Sequence, residues 1–332
     1  MKRLVFLLFV LYFSNSFAQD SNPKTKDSTQ NKNDSTLIVD LTKLARKKAD
    51  TVQKKDSVPA SCWKKGGVIS LSFSQTSFKN WAAGGDNSFS ISGLFSPTLA
   101  YNHNSSSWEN TLLLAYGSQK QEGSVPKKLD DRIDFTTKYG YKTSKQWLIT
   151  SQVNFKTQFA DGFNYPDVSK HVSTLMAPAY LIFSLGMDYK PNDQYSLLLS
   201  PVTSKRTFVN DQRLADAGSF GVDKAVYDAD GVKIKDGKNY KQEVGGYIST
   251  KFKYQLLENI ILSSKLEFFS NYLEDPENID VNGDFMVSAK INKYVSTIFT
   301  LQTIYDNDIK IDEVGPRLQL KETFGVGFSY NL

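Results

Sequence analysis

Acyl transfer needs a nucleophile and a histidine base held within hydrogen-bond reach, and the chain contains only 2 His and 1 Cys. His171 shares a short stretch with Asp167, Ser169 and Ser173, while His103 lies far off beside Asn102 and Asn104. Close neighbours on one loop have no scaffold strand to fix their geometry, so no enzyme is expected. Asp228, Asp230 and Asp236, and separately Asp280, Asn282 and Asp284, offer hard oxygen ligands near glycines. Neither group is followed by the glutamate that completes a calcium loop, and a hairpin over 226–234 turning at Asp230-Gly231 accounts for the first. No cofactor or metal is expected.

Charged residues in regular alternation carry more information. Arg132, Asp134, Lys138, Lys156, Lys251, Lys253, Lys265, Glu267, Asp284 and Lys290 share one phase of their segments, as do Glu109 and Asp188. The opposite phase is apolar and aromatic, so these residues should face a common polar interior. Both signs occur, which suits ion pairs that fill a lumen as well as a selective passage.

Twelve alternating segments would position them: 69–73, 89–101, 108–116, 133–141, 147–159, 179–189, 195–199, 244–254, 260–272, 281–291, 295–305 and 318–332. Pro97 lies inside the second and, having no N–H to give a ladder, predicts a bulge or bend. Connections after the even segments are short, and those after the odd ones longer, the longest being 203–243. Such sorting fits an all-β, up-and-down antiparallel transmembrane barrel of about 12 strands, with both ends on the short-turn side. Rings agree with this. Tyr101 and Trp108, Tyr141 and Trp147, and Tyr189 and Tyr195 flank three short turns, Tyr254 and Tyr330 lie at two more strand ends, and Tyr116, Phe159, Tyr272 and Tyr305 lie at the far ends. Rings with a polar tip favour the headgroup level, which a soluble sandwich would give no reason to populate.

The last segment alternates Leu318, Leu320, Phe324, Val326, Phe328, Tyr330 and Leu332 with Lys321, Thr323, Gly325, Gly327, Ser329 and Asn331. It resembles the C-terminal sorting signal of Gram-negative outer-membrane barrels, with Leu332 in place of the usual Phe. The resemblance implies barrel assembly machinery as a partner through this strand, and outer-membrane lipid around the barrel. From Trp63 onward the chain resembles an uncharacterised outer-membrane β-barrel family of Gram-negative bacteria, classed as a domain of unknown function. Its most recognisable piece runs from Phe78 through Trp81, Gly84 and Gly85 to Asn87. Gly84 and Gly85 permit a sharp reversal, and Trp81 is expected to anchor the loop at the lipid interface or the barrel mouth.

Ahead of the barrel, residues 1–18 read as a cleavable secretory signal: Lys2 and Arg3, an apolar run too short to span a bilayer, then Ser16-Phe17-Ala18. Residues 19–62, rich in Lys, Asp, Ser and Thr, read as a disordered periplasmic linker, and 63–332 as the barrel. Linker residues Ser28, Ser35, Thr51 and Ser57 each follow Asp. They resemble the acceptor pattern of periplasmic O-glycosylation in some Gram-negative bacteria, although a biased tract produces Asp-Ser pairs by composition alone. The formal charge of +5 comes from the signal and linker, because basic and acidic residues balance from Trp63 onward. A nucleic-acid partner is therefore not expected. Two functional readings remain: passage of a small solute through a narrow barrel, or a structural, partner-binding envelope protein with an occluded lumen.

Overall fold

The computed structural model describes residues 62–80, 82–83, 85–309 and 315–331. Among them, twelve antiparallel strands close into a barrel: β1 (Trp63–Thr76), β2 (Ser88–His103), β3 (Ser106–Gln121), β4 (Lys127–Lys142), β5 (Trp147–Thr157), β8 (Ala179–Tyr189), β9 (Tyr195–Phe208), β12 (Tyr240–Leu257), β13 (Ile260–Asn271), β14 (Ile279–Lys290), β15 (Val295–Tyr305) and β16 (Gln319–Asn331). Each strand pairs with the next barrel strand along the chain, and β1 closes on β16 from Val68↔Asn331 to Ser72↔Gly327. Closure leaves neither terminal strand as a free edge, which a sheet surrounded by lipid requires. Two short hairpins, β6 (Gly162–Phe163) with β7 (His171–Ser173) and β10 (Val226–Tyr227) with β11 (Lys233–Lys235), stand in the loops.

Alternation sorts the side chains. Ile69, Leu71, Phe73, Ile91, Phe183, Leu185, Phe324 and Phe328 point outward and are exposed, Phe328 to 56%. Thr136, Lys138, Gln152, Asn154, Asp188, Ser249 and Glu267 point inward and are buried. A polar interior inside an apolar exterior inverts a soluble barrel and suits a bilayer. At the short-turn end Trp63 packs on Tyr101 at 5.0 Å and on Trp108 at 5.9 Å, and Trp147 packs on Tyr189 at 5.0 Å.

Three expectations are corrected by the strand ends. The connection between β3 and β4 covers only 122–126, comparable to the short turn 190–194, because the polar ladder from Ser118 continues as far as Gln121. The longest loop is 209–239 rather than 203–243. Nor is there a bulge at Pro97: it lies opposite Gly67 in an unshifted register with β1, and pairing with β3 merely lapses at Ser96 and Pro97.

A bulge falls instead at Pro201. β9 gains one residue there against both neighbours, between the Met187↔Leu199 and Leu185↔Val202 pairs on one side and the Tyr247↔Ser200 and Gly245↔Thr203 pairs on the other. The inward phase therefore passes from Ser196, Leu198 and Ser200 to Thr203, Lys205 and Thr207, all buried. Gly186 makes room for it, since a Cβ at that position would lie 2.1 Å from the Leu199 carbonyl oxygen. The Ser200 hydroxyl donates to the Leu185 carbonyl at 2.8 Å and so satisfies an acceptor that the interrupted ladder leaves over.

Candidate functional site: the charged lumen

Inward charges meet across the barrel rather than along single strands. Arg132 on β4 and Asp284 on β14 lie six strands apart in either direction round the closed sheet, which is diametrically opposite. Their side chains nevertheless join in a fork, Nη1 to Oδ1 at 2.7 Å and Nη2 to Oδ2 at 2.9 Å, and Nη2 also reaches Asp134 Oδ2 at 3.0 Å. The planar guanidinium matches two carboxylate oxygens at once, so this bridge fixes direction as well as charge. Beside it Lys321 of β16 pairs with Asp130 of β4.

These bridges divide the lumen. A cavity of about 290 Å³ on the long-loop side is lined by Lys156, Tyr180, Lys205, Glu267 and Asp306 among others. A second of about 420 Å³ on the short-turn side is lined by Glu109, Lys190, Ser196, Lys251, Lys253 and Lys265 among others. Both cavities are lined by Asp130, Arg132, Asp284, Gln302 and Lys321, so the two bridges form the partition between them.

Further ion pairs tie the walls together. Lys156 on β5 reaches Glu267 on β13 at 2.7 Å, and Glu267 also takes Lys265 at 2.8 Å and the hydroxyl of the buried Tyr247. Lys138 contacts Asp188 at 2.6 Å and Glu109 at 3.8 Å, and Lys190 pairs with Glu109 as well. Lys205 lies 2.6 Å from Asp280, 3.4 Å from Glu243 and 3.7 Å from Asp306. Asn154 donates to Asp134 at 2.7 Å and to Thr136 at 2.8 Å.

Of the charged positions singled out in the sequence, Arg132, Asp134, Lys251, Lys253, Lys265 and Asp284 line the short-turn cavity. Lys156 and Glu267 line the other, and Lys138 is buried in its ion pairs. Lys290 lies exposed at the short-turn rim, and its backbone N–H donates to Asn259. Sequence reasoning missed Lys205 and Glu243, which it assigned to a loop, and Tyr247, which it left out of the inward phase. Lys321 stood in the polar phase of the last strand without being counted as a lumen charge.

Over the long-loop end, 158–178 and 209–239 pack together. Ala177, Val209, Leu214, Ala215 and Val222 form a small apolar cluster, joined by Phe220. Asp211 caps the helix α1 (Gln212–Asp216), accepting from the Leu214 N–H at 2.8 Å, and holds His171 Nε2 at 2.9 Å. Partial burial opposes ionisation of Asp211, yet the Leu214 N–H and the His171 ring keep its carboxyl below the usual carboxylate range. His171 thus ties one loop to the other. Asp216 is drawn down to about 2 by the side chains of Lys233 and Gln212 and the Gly237 N–H. Asp228 shapes the hairpin turn, accepting from the Asp230 and Val232 N–H groups at 3.0 and 2.8 Å, and Asp236 pairs with Lys233 at 2.6 Å. Asp280 and Asp284 separate into the Lys205 and Arg132 pairs. Gly85 adopts φ 130° against the Phe78 ring, with no room for a Cβ, while Trp81 and Gly84 lie outside the described residues. So do the signal, the linker through residue 61, and Ser28, Ser35, Thr51 and Ser57.

Two family models match: residues 73–163 fit "Protein of unknown function (DUF3078)", and residues 211–330 fit "Protein of unknown function, DUF481". No curated protein matches the chain. Among solved structures the chain is similar to the NanC porin, at 7% identity over 79% of this chain and 98% of that one, with a TM-score of 0.35. It is also similar to the COG4313 outer membrane channel from Pseudomonas putida F1, at 12% identity over 84% and 97% with a TM-score of 0.35. The CymD monoaromatic hydrocarbon channel is similar at 12% identity over 81% and 87%, with a TM-score of 0.31. With its closed barrel, its apolar outer band and its two family matches, the chain fits an uncharacterised family of outer-membrane β-barrels.

Proposed function

We propose that the barrel spans the outer membrane with its short turns and both ends in the periplasm and 209–239 outside, and that it passes a small polar solute through a lumen closed at rest by Arg132–Asp284 and Lys321–Asp130. The observation that carries this reading is the partition itself: two cavities, of about 290 and 420 Å³, share only the residues that separate them. A lumen meant solely to be filled has no need of space on both sides of one ionic seam. The surrounding lipid and, through β16, the barrel assembly machinery are its proposed partners. His171, whose Nε2 lies 2.9 Å from Asp211, is read as a tie between two loops, and no catalytic role is proposed for it.

Purified protein in a planar bilayer should give small, intermittent current steps. Silence at every voltage, in the native chain and in variants lacking the bridges, would leave the envelope-scaffold reading in which the ion pairs only brace the walls. Orientation is tested separately: protease added to intact cells should cut within 209–239 and spare the short turns.

A further inference from the structure

The charges lining the short-turn cavity do not pair off completely. Lys251 and Lys265 face each other directly across β12 and β13, an arrangement of like charges that ordinarily destabilises a sheet. Lys265 is relieved by Glu267 at 2.8 Å, but that carboxylate also serves Lys156 and Tyr247. Asp188 is taken by Lys138, and Glu109 by Lys190 with Lys138. Asp134 and Asp284 both belong to Arg132, Asp130 to Lys321, and Asp193 is at the rim, 3.9 Å from Lys64. Every carboxylate lining the cavity thus already has a cationic partner, Asp134 and Asp284 sharing Arg132. Among the described residues, the side chains of Lys251 and Lys253 have neither an ion pair nor a hydrogen bond, and both line the same space of about 420 Å³.

A cation left over on the wall of a cavity, opposite another cation, is a poor device for bracing a barrel and a good one for holding an anion. We propose that this cavity binds a small solute bearing a carboxylate or phosphate, with Lys251 and Lys253 as its charge partners and Lys265 adding to the local positive field. Three rotatable N–H donors on each lysine suit an oxyanion without demanding one fixed geometry. The volume lies within the range of small-molecule sites. The inference deepens the passage reading by naming the class of solute, and rests on it for the route by which that solute arrives.

The test is direct binding by the full-length protein in a neutral detergent, measured by isothermal titration with inorganic phosphate and, in a separate arm, with gluconate. Saturable binding of at least one is expected. The paired replacement Lys251→Met and Lys253→Met should weaken it by about tenfold or more, the scale of charge-assisted hydrogen bonds. Lys253→Met alone, at the exposed rim, should weaken binding while the barrel keeps its heat-modifiable migration on a gel. Lys290→Met, at the same rim but outside the cavity, should leave binding unchanged. Absence of saturable binding in both arms, or equal binding by the folded Lys253→Met protein and the native one, overturns the proposal. Phosphate binding by a protein silent in bilayers would uphold the site and remove passage, whereas current without anion binding would do the reverse.

Discussion

Replacing Arg132 by alanine should convert a mostly closed barrel into a conducting one. The guanidinium makes two hydrogen bonds to Asp284 and one to Asp134 across the lumen, and among the described residues no other side chain joins those two walls through a fork. Charge-assisted bonds of this kind contribute a net of roughly 1.5–3 kcal/mol each, so losing even one should shift a closed–open equilibrium by about 10- to 100-fold. In single-channel records this would appear as a higher open fraction at unchanged voltage. Removing one partner also strands Asp134 and Asp284, which lowers stability and complicates a single replacement. The exchanged pair Arg132→Asp with Asp284→Arg separates the two effects, because it keeps both charges and should return the lumen to its closed behaviour. An open fraction in Arg132→Ala equal to that of the native chain, in a barrel shown to be folded, would eliminate this bridge as the closing element.

Whether such a bridge opens in use depends on what replaces its bonds. A dissolved anion entering the short-turn cavity would meet Arg132 and Lys321 as part of its wall, alongside Lys251 and Lys253. It could compete with Asp284 for the guanidinium while water and Lys265 accommodate the released carboxylate. Binding energy would then be spent on opening, the condition under which a ligand shifts a two-state equilibrium. On the proposed reading, solute charge and gate chemistry would be matched, and the anion site and the bridge would act together.

Much of the barrel could be read before any coordinates, for a physical reason: a strand with lipid on one face and a polar lumen on the other shows the cleanest two-residue period available to a sequence. All twelve barrel strands fall on segments chosen in that way. The lumen was legible only where the period held. At Pro201 the extra residue reverses the phase, so the segment from Val202 to Phe208 looks out of step with Leu197 and Leu199 and reads as the beginning of a loop. Lys205 and Thr207 disappear from the inward set with it. The same error shortens β12, whose first residues pair with that upper part of β9, and removes Glu243. Tyr247 was lost differently: tyrosines at the strand ends mark the lipid boundary, but its hydroxyl on Glu267 allows the ring to be fully buried inside. The cross-lumen pairing of Arg132 with Asp284 was not legible at all, since alternation gives a face and carries no information on which opposite strand that face will meet.

Lys205, the residue hidden by the bulge, should be the most sensitive single position for stability. Its side chain is 9% exposed, and its ammonium lies between Asp280 at 2.6 Å, Glu243 at 3.4 Å and Asp306 at 3.7 Å, 5.1 Å from the centre of the Phe269 ring. Three carboxylates from β14, β12 and the end of β15 converge on one cation, so the cation is what permits them to approach. Lys205→Met keeps the length and packing of the side chain but leaves three largely buried acids facing one another without the cation between them. Breaking a buried pair in this way typically costs about 3–5 kcal/mol, because the charge left behind is uncompensated. The urea midpoint of the barrel in lipid vesicles should fall accordingly, with little change in the slope of the transition, since the same surface is exposed on unfolding. Lys205→Arg should recover much of the loss by restoring the charge, subject to fitting a wider head beside Phe269. If Lys205→Met unfolds at the native midpoint, the cluster is not held by this lysine, and the bulge at Pro201 then serves only to curve the sheet.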